Sequence, residues 1–195
     1  KWMKGYLTSG GGKYADIIGG HMYSAFPEDV IEGSRLYKTM LASHKINKKP
    51  LWNTETGWGY DGKSTDEQVT AYVARAFILN WASGFKRYYW YSWNQYSQVG
   101  IRADADGNFT VITPAAKAFA EVRKWLLGSV MLSCSKDAKD IWTVKLKKKD
   151  GNPAWIVWSP NGSNDFNVPL SWKVSKQCEL TGVVTNIQGK RTIKI

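Results

Sequence analysis

Up to about residue 128 the chain is punctuated as strand, helix, strand, helix; beyond it the helical pattern stops and short turn-separated runs take over. Ala15 to Tyr23 reads as a short buried strand with a polar end, and Pro27-Glu28-Asp29 opens a helix whose apolar side is Val30, Tyr37, Met40 and Leu41. Proline suits a first helical turn and acids suit the positive end of the helix dipole. Leu51 to Thr56 is the next strand. Ser64 with Glu67 three residues on fits a capping box for a helix carried by Val69, Val73, Ala76 and Phe77 to Gly84. Lys86 to Trp93 is a third, largely aromatic strand, a loop through Gly100 and Asp104 to Gly107 follows, and Thr113-Pro114 opens a third helix that runs through Phe119, Val122 and Leu126 to Gly128. Strands that alternate with helices, without hairpin turns, imply parallel β/α units. Three such units neither close a barrel nor cover both faces of a parallel sheet, so the expectation is that further β/α units belong to the same protein.

After Gly128 the signals change. Ile141 to Lys147 alternates, Asp150-Gly151 and Asn161-Gly162 are turn dipeptides, and Ala154 to Trp158, Phe166 to Val168, Glu179 to Val184 and Thr192 to Ile195 read as short strands. Even spacing of this kind predicts a small antiparallel β-sandwich. The expected fold class is therefore α/β plus all-β: three β/α units over residues 1–128, then a sandwich over residues 129–195.

Bulk properties narrow the function classes. With 43% hydrophobic residues the chain has enough apolar surface for a packed core, and no apolar run approaches the length of a membrane span. The formal charge is +11, but apart from Lys145 and Lys147 to Lys149 the basic residues are scattered, and no nucleic-acid-binding motif accompanies them. A solvated basic surface accounts for this, and neither nucleic acid nor membrane is expected as a partner. Cys134 and Cys178 lack metal-ligand spacing, and sequence leaves a disulfide between them open. Nothing in the residue pattern calls for a metal or cofactor. Eleven tryptophans supply rigid apolar faces that fill cores and also stack on flat ligands such as sugar rings.

The residues that carry chemistry gather at predicted strand ends, where parallel β/α folds place their sites. Glu55 ends the second strand, and a strand's period of two puts Leu51, Asn53 and Glu55 on one side. Such a carboxylate is costly to bury without a partner or a task; a salt-bridged or helix-capping role is the structural alternative. His21 and Tyr23 end the first strand on one face, where they can donate to an inward carboxylate and keep it ionised. Trp90, Trp93 and Asn94 end the third strand; the two tryptophans differ in parity, so one is expected to pack outward. Trp58, in the glycine-rich loop from Gly57 to Gly62, is a candidate second platform. His44 lies in a polar helical stretch and reads as solvated.

Four strings in order resemble segments of clan A glycoside hydrolases, retaining enzymes built on a (β/α)8 barrel. PLWNTETGWGY (50–60) resembles the seventh-strand nucleophile segment, where a Glu ends the strand; ADIIGGHMY (15–23) resembles the sixth strand, YYWYSWNQ (88–95) the eighth, and TPAAKAFAEVRKWLLG (113–128) the last barrel helix. The β-rich part resembles the sandwich that follows the barrel in the β-xylosidase and exopolysaccharide-hydrolase type. The resemblance implies the C-terminal part of such an enzyme, with Glu55 as nucleophile, His21 and Tyr23 beside it, a tryptophan under the sugar, and a poly- or oligosaccharide substrate. It implies a two-carboxylate double displacement and a secreted or periplasmic setting. The clan's second carboxylate follows an Asn on the fourth strand, and no Asn-Glu pair occurs here, so the acid/base is expected from a barrel segment N-terminal to this chain. The rival reading is a non-catalytic carbohydrate-binding protein, with Trp142, Trp155, Trp158 and Trp172 as its aromatic row; their alternation with Ile and Val favours burial instead.

Overall fold

The computed structural model describes residues 2–59, 64–94 and 100–195. It is a mixed helix and strand structure with several small sheets, and no closed barrel forms among the described residues. Two compact units divide it, Lys1–Phe119 and Ala120–Ile195.

The first unit is organised by a three-stranded parallel sheet, β1 (Ile18–His21), β2 (Leu51–Thr56) and β3 (Arg87–Trp90), in that spatial order. Helix α2 (Val30–Ser43) connects β1 to β2, and α3 (Asp66–Ala82) connects β2 to β3. A short helix, α1 (Trp2–Thr8), precedes β1. β2 spans the expected residues, whereas β1 and β3 are shorter than the strings Ala15 to Tyr23 and Lys86 to Trp93 expected for them.

One face of the sheet is packed by α3. Val73, Ala76, Ile78 and Leu79 of this helix are buried. Phe77 meets Tyr88 of β3 edge-on at 4.8 Å, and burial pushes the Tyr88 phenol well above its ordinary range. On the opposite face Arg87 lies over the Trp52 ring at 4.9 Å, with Tyr89 beside Trp52. Arg75 of α3 and Glu28, in the 3-10 turn before α2, form an ion pair at 3.0 Å with side chains only 11% and 14% exposed.

At the opposite end of the strands from Glu55, a cavity of about 560 Å³ is lined by Lys38, Lys48, Lys49 and Lys86 together with Ala42 and Gly84. These last two sit at the ends of α2 and α3, where carbonyls point outward and carry negative partial charge. Lys38 donates to the Ser83 carbonyl just beyond α3, so the lysines complement two helix C-termini.

Two expectations are corrected here. Helix α3 is capped by Thr65, whose side chain accepts from the Gln68 amide at 3.2 Å while its own amide donates to Gln68 Oε1 at 2.9 Å; the Ser64–Glu67 pair is not used. The stretch around Gly100 and Asp104–Gly107, read as loop, contains an antiparallel hairpin, β4 (Ile101–Ala103) and β5 (Phe109–Ile112). Its turn is organised by the Asp104 carboxylate. Amides of Asn108 and Asp106 and the Thr110 hydroxyl donate to it, which holds its pKa below the ordinary carboxylate value. The expected cap of the last helix is present: the Thr113 hydroxyl accepts from Ala116 N at 3.0 Å at the start of α4 (Pro114–Leu126). The unit division falls inside α4, after Phe119.

The second unit continues α4 into an antiparallel sheet of β6 (Val130–Lys136), β7 (Trp142–Lys147) and β8 (Pro153–Trp158), in chain order. Alternation along β7 is strict: Trp142, Val144 and Leu146 are buried while Lys145 and Lys147 are exposed. Two antiparallel pairs follow, β10 (Lys176–Cys178) with β11 (Val184–Asn186), and, on either side of these in sequence, β9 (Asp165–Asn167) with β12 (Thr192–Lys194). The expected strand over Glu179 to Val184 is instead largely the turn between β10 and β11, closed by Gly182 at positive φ. The tryptophans stack on one another: Trp142 on Trp158 at 5.5 Å and Trp155 on Trp172 at 4.6 Å. Cys134 and Cys178 are free thiols, and burial pushes Cys134 up to about 11.

Candidate active site

The C-terminal ends of β1, β2 and β3 lie side by side, with His21 opposite Glu55 and Thr56 opposite Trp90 in the strand registers. A regular strand would place Glu55 on the side of Asn53, the side packed by α3. It does not. Both pairings of β2 are irregular near this end, the shift against β3 falling between Asn53 and Thr56. Asn53 and Thr56 are both fully buried, whereas the Glu55 side chain is 30% exposed. The expectation that Leu51, Asn53 and Glu55 share one side is therefore corrected at its last member: the irregularity turns Glu55 out of the helix-packed layer.

Glu55 meets two of the expected neighbours. The Tyr23 hydroxyl donates to Glu55 Oε1 at 2.8 Å. His21 Nε2 lies 3.6 Å from Glu55 Oε2, beyond hydrogen-bond range but close enough to interact electrostatically when protonated. The His21 and Tyr23 rings stand nearly perpendicular, 6.3 Å apart. One carboxylate oxygen is thus held by a phenol, while the other meets no hydrogen-bond donor among the described residues and lies at a partly open surface. Such a group can act as a nucleophile or a base.

The aromatic candidates separate into two kinds. Trp58 is 6% exposed; its indole N–H donates to Ser24 O at 2.9 Å, and its ring contacts Tyr72 and Trp90. It braces the segment next to Tyr23 and leaves no open platform. Trp90 packs under the helices, against Val69 and Val73 of α3 and Ala115 of α4, the side on which one of the two tryptophans was expected. Trp93 is 47% exposed, with one edge against Phe119 at 5.6 Å, and Asn94 is exposed. Of the two tryptophans of the third segment, Trp93 is the one with accessible ring surface. His44 is half-buried at the end of α2 rather than fully solvated. The part of the glycine-rich loop from Tyr60 to Lys63 lies outside the described residues, as does the segment from Gln95 to Val99.

The strand-end glycine that matters is Gly57. A Cβ there would overlap the Tyr91 carbonyl, so the backbones after β2 and β3 approach as only glycine permits. Sequence reasoning did not anticipate Thr56 or Asn80. Thr56 Oγ1 lies 2.9 Å from Asn53 Oδ1 and accepts from Met22 N at 3.0 Å, and the Asn53 and Asn80 amides meet 2.8 Å apart. A polar residue on the buried side of a strand, paired with an Asn inside an apolar helix face, was the available signal.

No family model matches the chain, and no curated protein sequence matches it. Among solved structures it resembles a glucosidase from Croceicoccus marinus, with a TM-score of 0.56 at 15% identity, over 94% of this chain and 41% of the glucosidase chain. At that identity the likeness is one of fold. This chain spans less than half the length of that protein.

Proposed function

We propose that this chain is the nucleophile-bearing part of a retaining glycoside hydrolase, with Glu55 attacking the anomeric carbon of a poly- or oligosaccharide. The three β/α units are read as the last part of a (β/α)8 barrel and the second unit as its trailing β-sandwich. The likeness to part of a glucosidase supports this reading at the level of fold. The observation that carries the chemistry is the 2.8 Å bond from Tyr23 to Glu55 at the C-terminal ends of parallel strands. A phenol donor stabilises the ionised carboxylate, the form that attacks.

In the first step a Glu55 oxygen forms an ester with the sugar while an acid protonates the departing oxygen; in the second, water hydrolyses the ester. Tyr23 holds Glu55 Oε1, which leaves Oε2 to attack. His21 lies on the Oε2 side, where it can bond a sugar hydroxyl. Trp93 offers ring surface for stacking, with Asn94 beside it. The acid/base belongs to a segment of the protein outside these 195 residues. The stacked pairs Trp142–Trp158 and Trp155–Trp172 spend indole faces on each other, which favours the enzyme over a carbohydrate-binding sandwich.

The test is Glu55→Gln in the longer protein that contains this chain. The variant keeps the shape of the side chain and loses the attacking charge, so kcat should fall by several orders of magnitude while binding of oligosaccharide is retained. A 2-fluoro glycoside should accumulate as an ester on Glu55, read by peptide mass spectrometry. Near-normal turnover of the variant, or a label on another carboxylate, would refute the assignment.

A further inference from the structure

Tyr23 lies beyond the last residue of β1, so strand pairing does not set its direction. Just before it, the Met22 amide is held from β2. The Met22 amide donates to the Thr56 hydroxyl at 3.0 Å, with the Asn53 side-chain oxygen at 3.3 Å. Thr56 itself is fully buried and held from three sides. Its hydroxyl meets Asn53, and its carbonyl accepts from the Tyr88 hydroxyl at 3.0 Å and from Tyr91 N at 3.1 Å. Thr56 also follows Glu55 directly, and it is the residue at which the alternation of β2 is broken. One side chain therefore fastens the end of β1, which carries the phenol, to the end of β2, which carries the carboxylate.

We propose that Thr56 is a positioning residue: its buried hydroxyl sets the Tyr23–Glu55 contact by tying the Met22 peptide to the end of β2. The inference deepens the glycosidase reading and rests on it for its kinetic consequence, but the geometric claim stands or falls separately. Thr56 touches no reacting atom and acts through Tyr23. Thr56→Val keeps the branched shape and removes the hydroxyl, so the Met22 amide is left with only the longer Asn53 contact. Thr56→Ser restores the hydroxyl.

Two measurements on the chain itself need no catalysis. Amide hydrogen exchange at Met22 should quicken about tenfold or more in Thr56→Val, because a hydrogen-bonded amide opens more readily once its acceptor is lost. The resonance of the Tyr23 ring carbon that bears the hydroxyl should shift toward that of a phenol without a carboxylate partner, and Thr56→Ser should restore both signals. In the longer protein, Thr56→Val should lower kcat about 10- to 100-fold with KM little changed, the size expected when a reacting group loses its alignment. In a Tyr23→Phe background the same substitution should have almost no further effect, since the residue it acts through is gone. Unchanged Met22 exchange and an unchanged Tyr23 resonance in Thr56→Val overturn the proposal, as do strictly additive effects of the two substitutions on kcat. If the spectroscopic changes occur while Glu55→Gln is fully active, Thr56 still positions the pair and the glycosidase reading alone fails.

Discussion

The side-chain amides of Asn53 and Asn80 meet 2.8 Å apart, on the buried side of β2 and within the sheet-facing surface of α3. Asn80 also donates to the Ala76 carbonyl of its own helix at 2.9 Å. An Asn at the end of an apolar helix is a poor helix former, and its presence is explained by this partner. The contact closes a chain of polar groups that runs from α3 through Asn53 and Thr56 to the Met22 amide. Asn80→Leu preserves volume and leaves the Asn53 amide short of a partner in a place that water does not reach. Unfolding in urea should show a loss of about 1–3 kcal/mol, the cost of a buried polar group left unsatisfied.

This chain of polar groups marks where the sequence stopped being readable. The parallel β/α order was legible because apolar strings, caps and glycine stops agree with one another from Ile18 to Leu126. That Glu55 ends a strand beside His21 and Tyr23 was legible too, since polar residues at the ends of apolar strings stand out. The side on which Glu55 lies was not. Period-two counting assumes a regular strand, and the residues flanking the irregularity, Asn53 and Thr56, bond to Asn80 and Met22, which are remote in sequence. The cap of α3 was ambiguous for a different reason: Ser64–Glu67 and Thr65–Gln68 satisfy the same spacing one residue apart, and local pattern does not choose between them. The β4–β5 hairpin was missed because strands of three and four residues are too short to show a period.

Arg75 and Glu28 join α3 to the turn that opens α2, and little of either side chain is in contact with solvent. Arg75 also rests on the Tyr72 ring, 5.0 Å from its centre. Removing one partner of such a pair leaves the other charge poorly solvated. Arg75→Met should cost about 3 kcal/mol in thermal or chemical unfolding. The double variant Arg75→Met with Glu28→Gln should regain part of that loss, because the poorly solvated Glu28 charge is then removed as well.

The two thiols should differ in reactivity. Burial raises Cys134 to about 11, whereas Cys178 is exposed. The thiolate is the nucleophile, so at pH 8 to 9 Cys178 should be alkylated first and Cys134 should lag. The sign of the linked stability follows from the raised value. Between about pH 9 and 11 the unfolded thiol loses its proton while the folded one keeps it, so stability falls as pH rises through that window. Peptide mass spectrometry after timed iodoacetamide treatment reads the order, and the difference should vanish in urea. Cys134→Ser should flatten the alkaline fall in stability.

The Tyr23–Glu55 bond makes a prediction separable from the loss of Glu55 itself. Tyr23→Phe removes the hydroxyl and leaves the ring, so the packing near His21 persists while Glu55 Oε1 loses its donor. A neutral donor to a charged acceptor contributes about 1.5–3 kcal/mol, which corresponds to roughly 10- to 100-fold in rate if the bond is needed in the transition state. In the longer protein kcat should fall by that amount, less than for Glu55→Gln, because an unheld carboxylate can still attack from a fraction of its orientations. His21→Ala should behave differently. At 3.6 Å from Oε2 the imidazole does not hold the carboxylate by a hydrogen bond, so if it contacts a sugar hydroxyl its loss should raise KM more than it lowers kcat. Steady-state kinetics on the three variants with one oligosaccharide give the comparison. Equal kcat losses for Tyr23→Phe and His21→Ala would mean that the two residues act on Glu55 as a unit, and that the phenol has no separate role in holding Oε1.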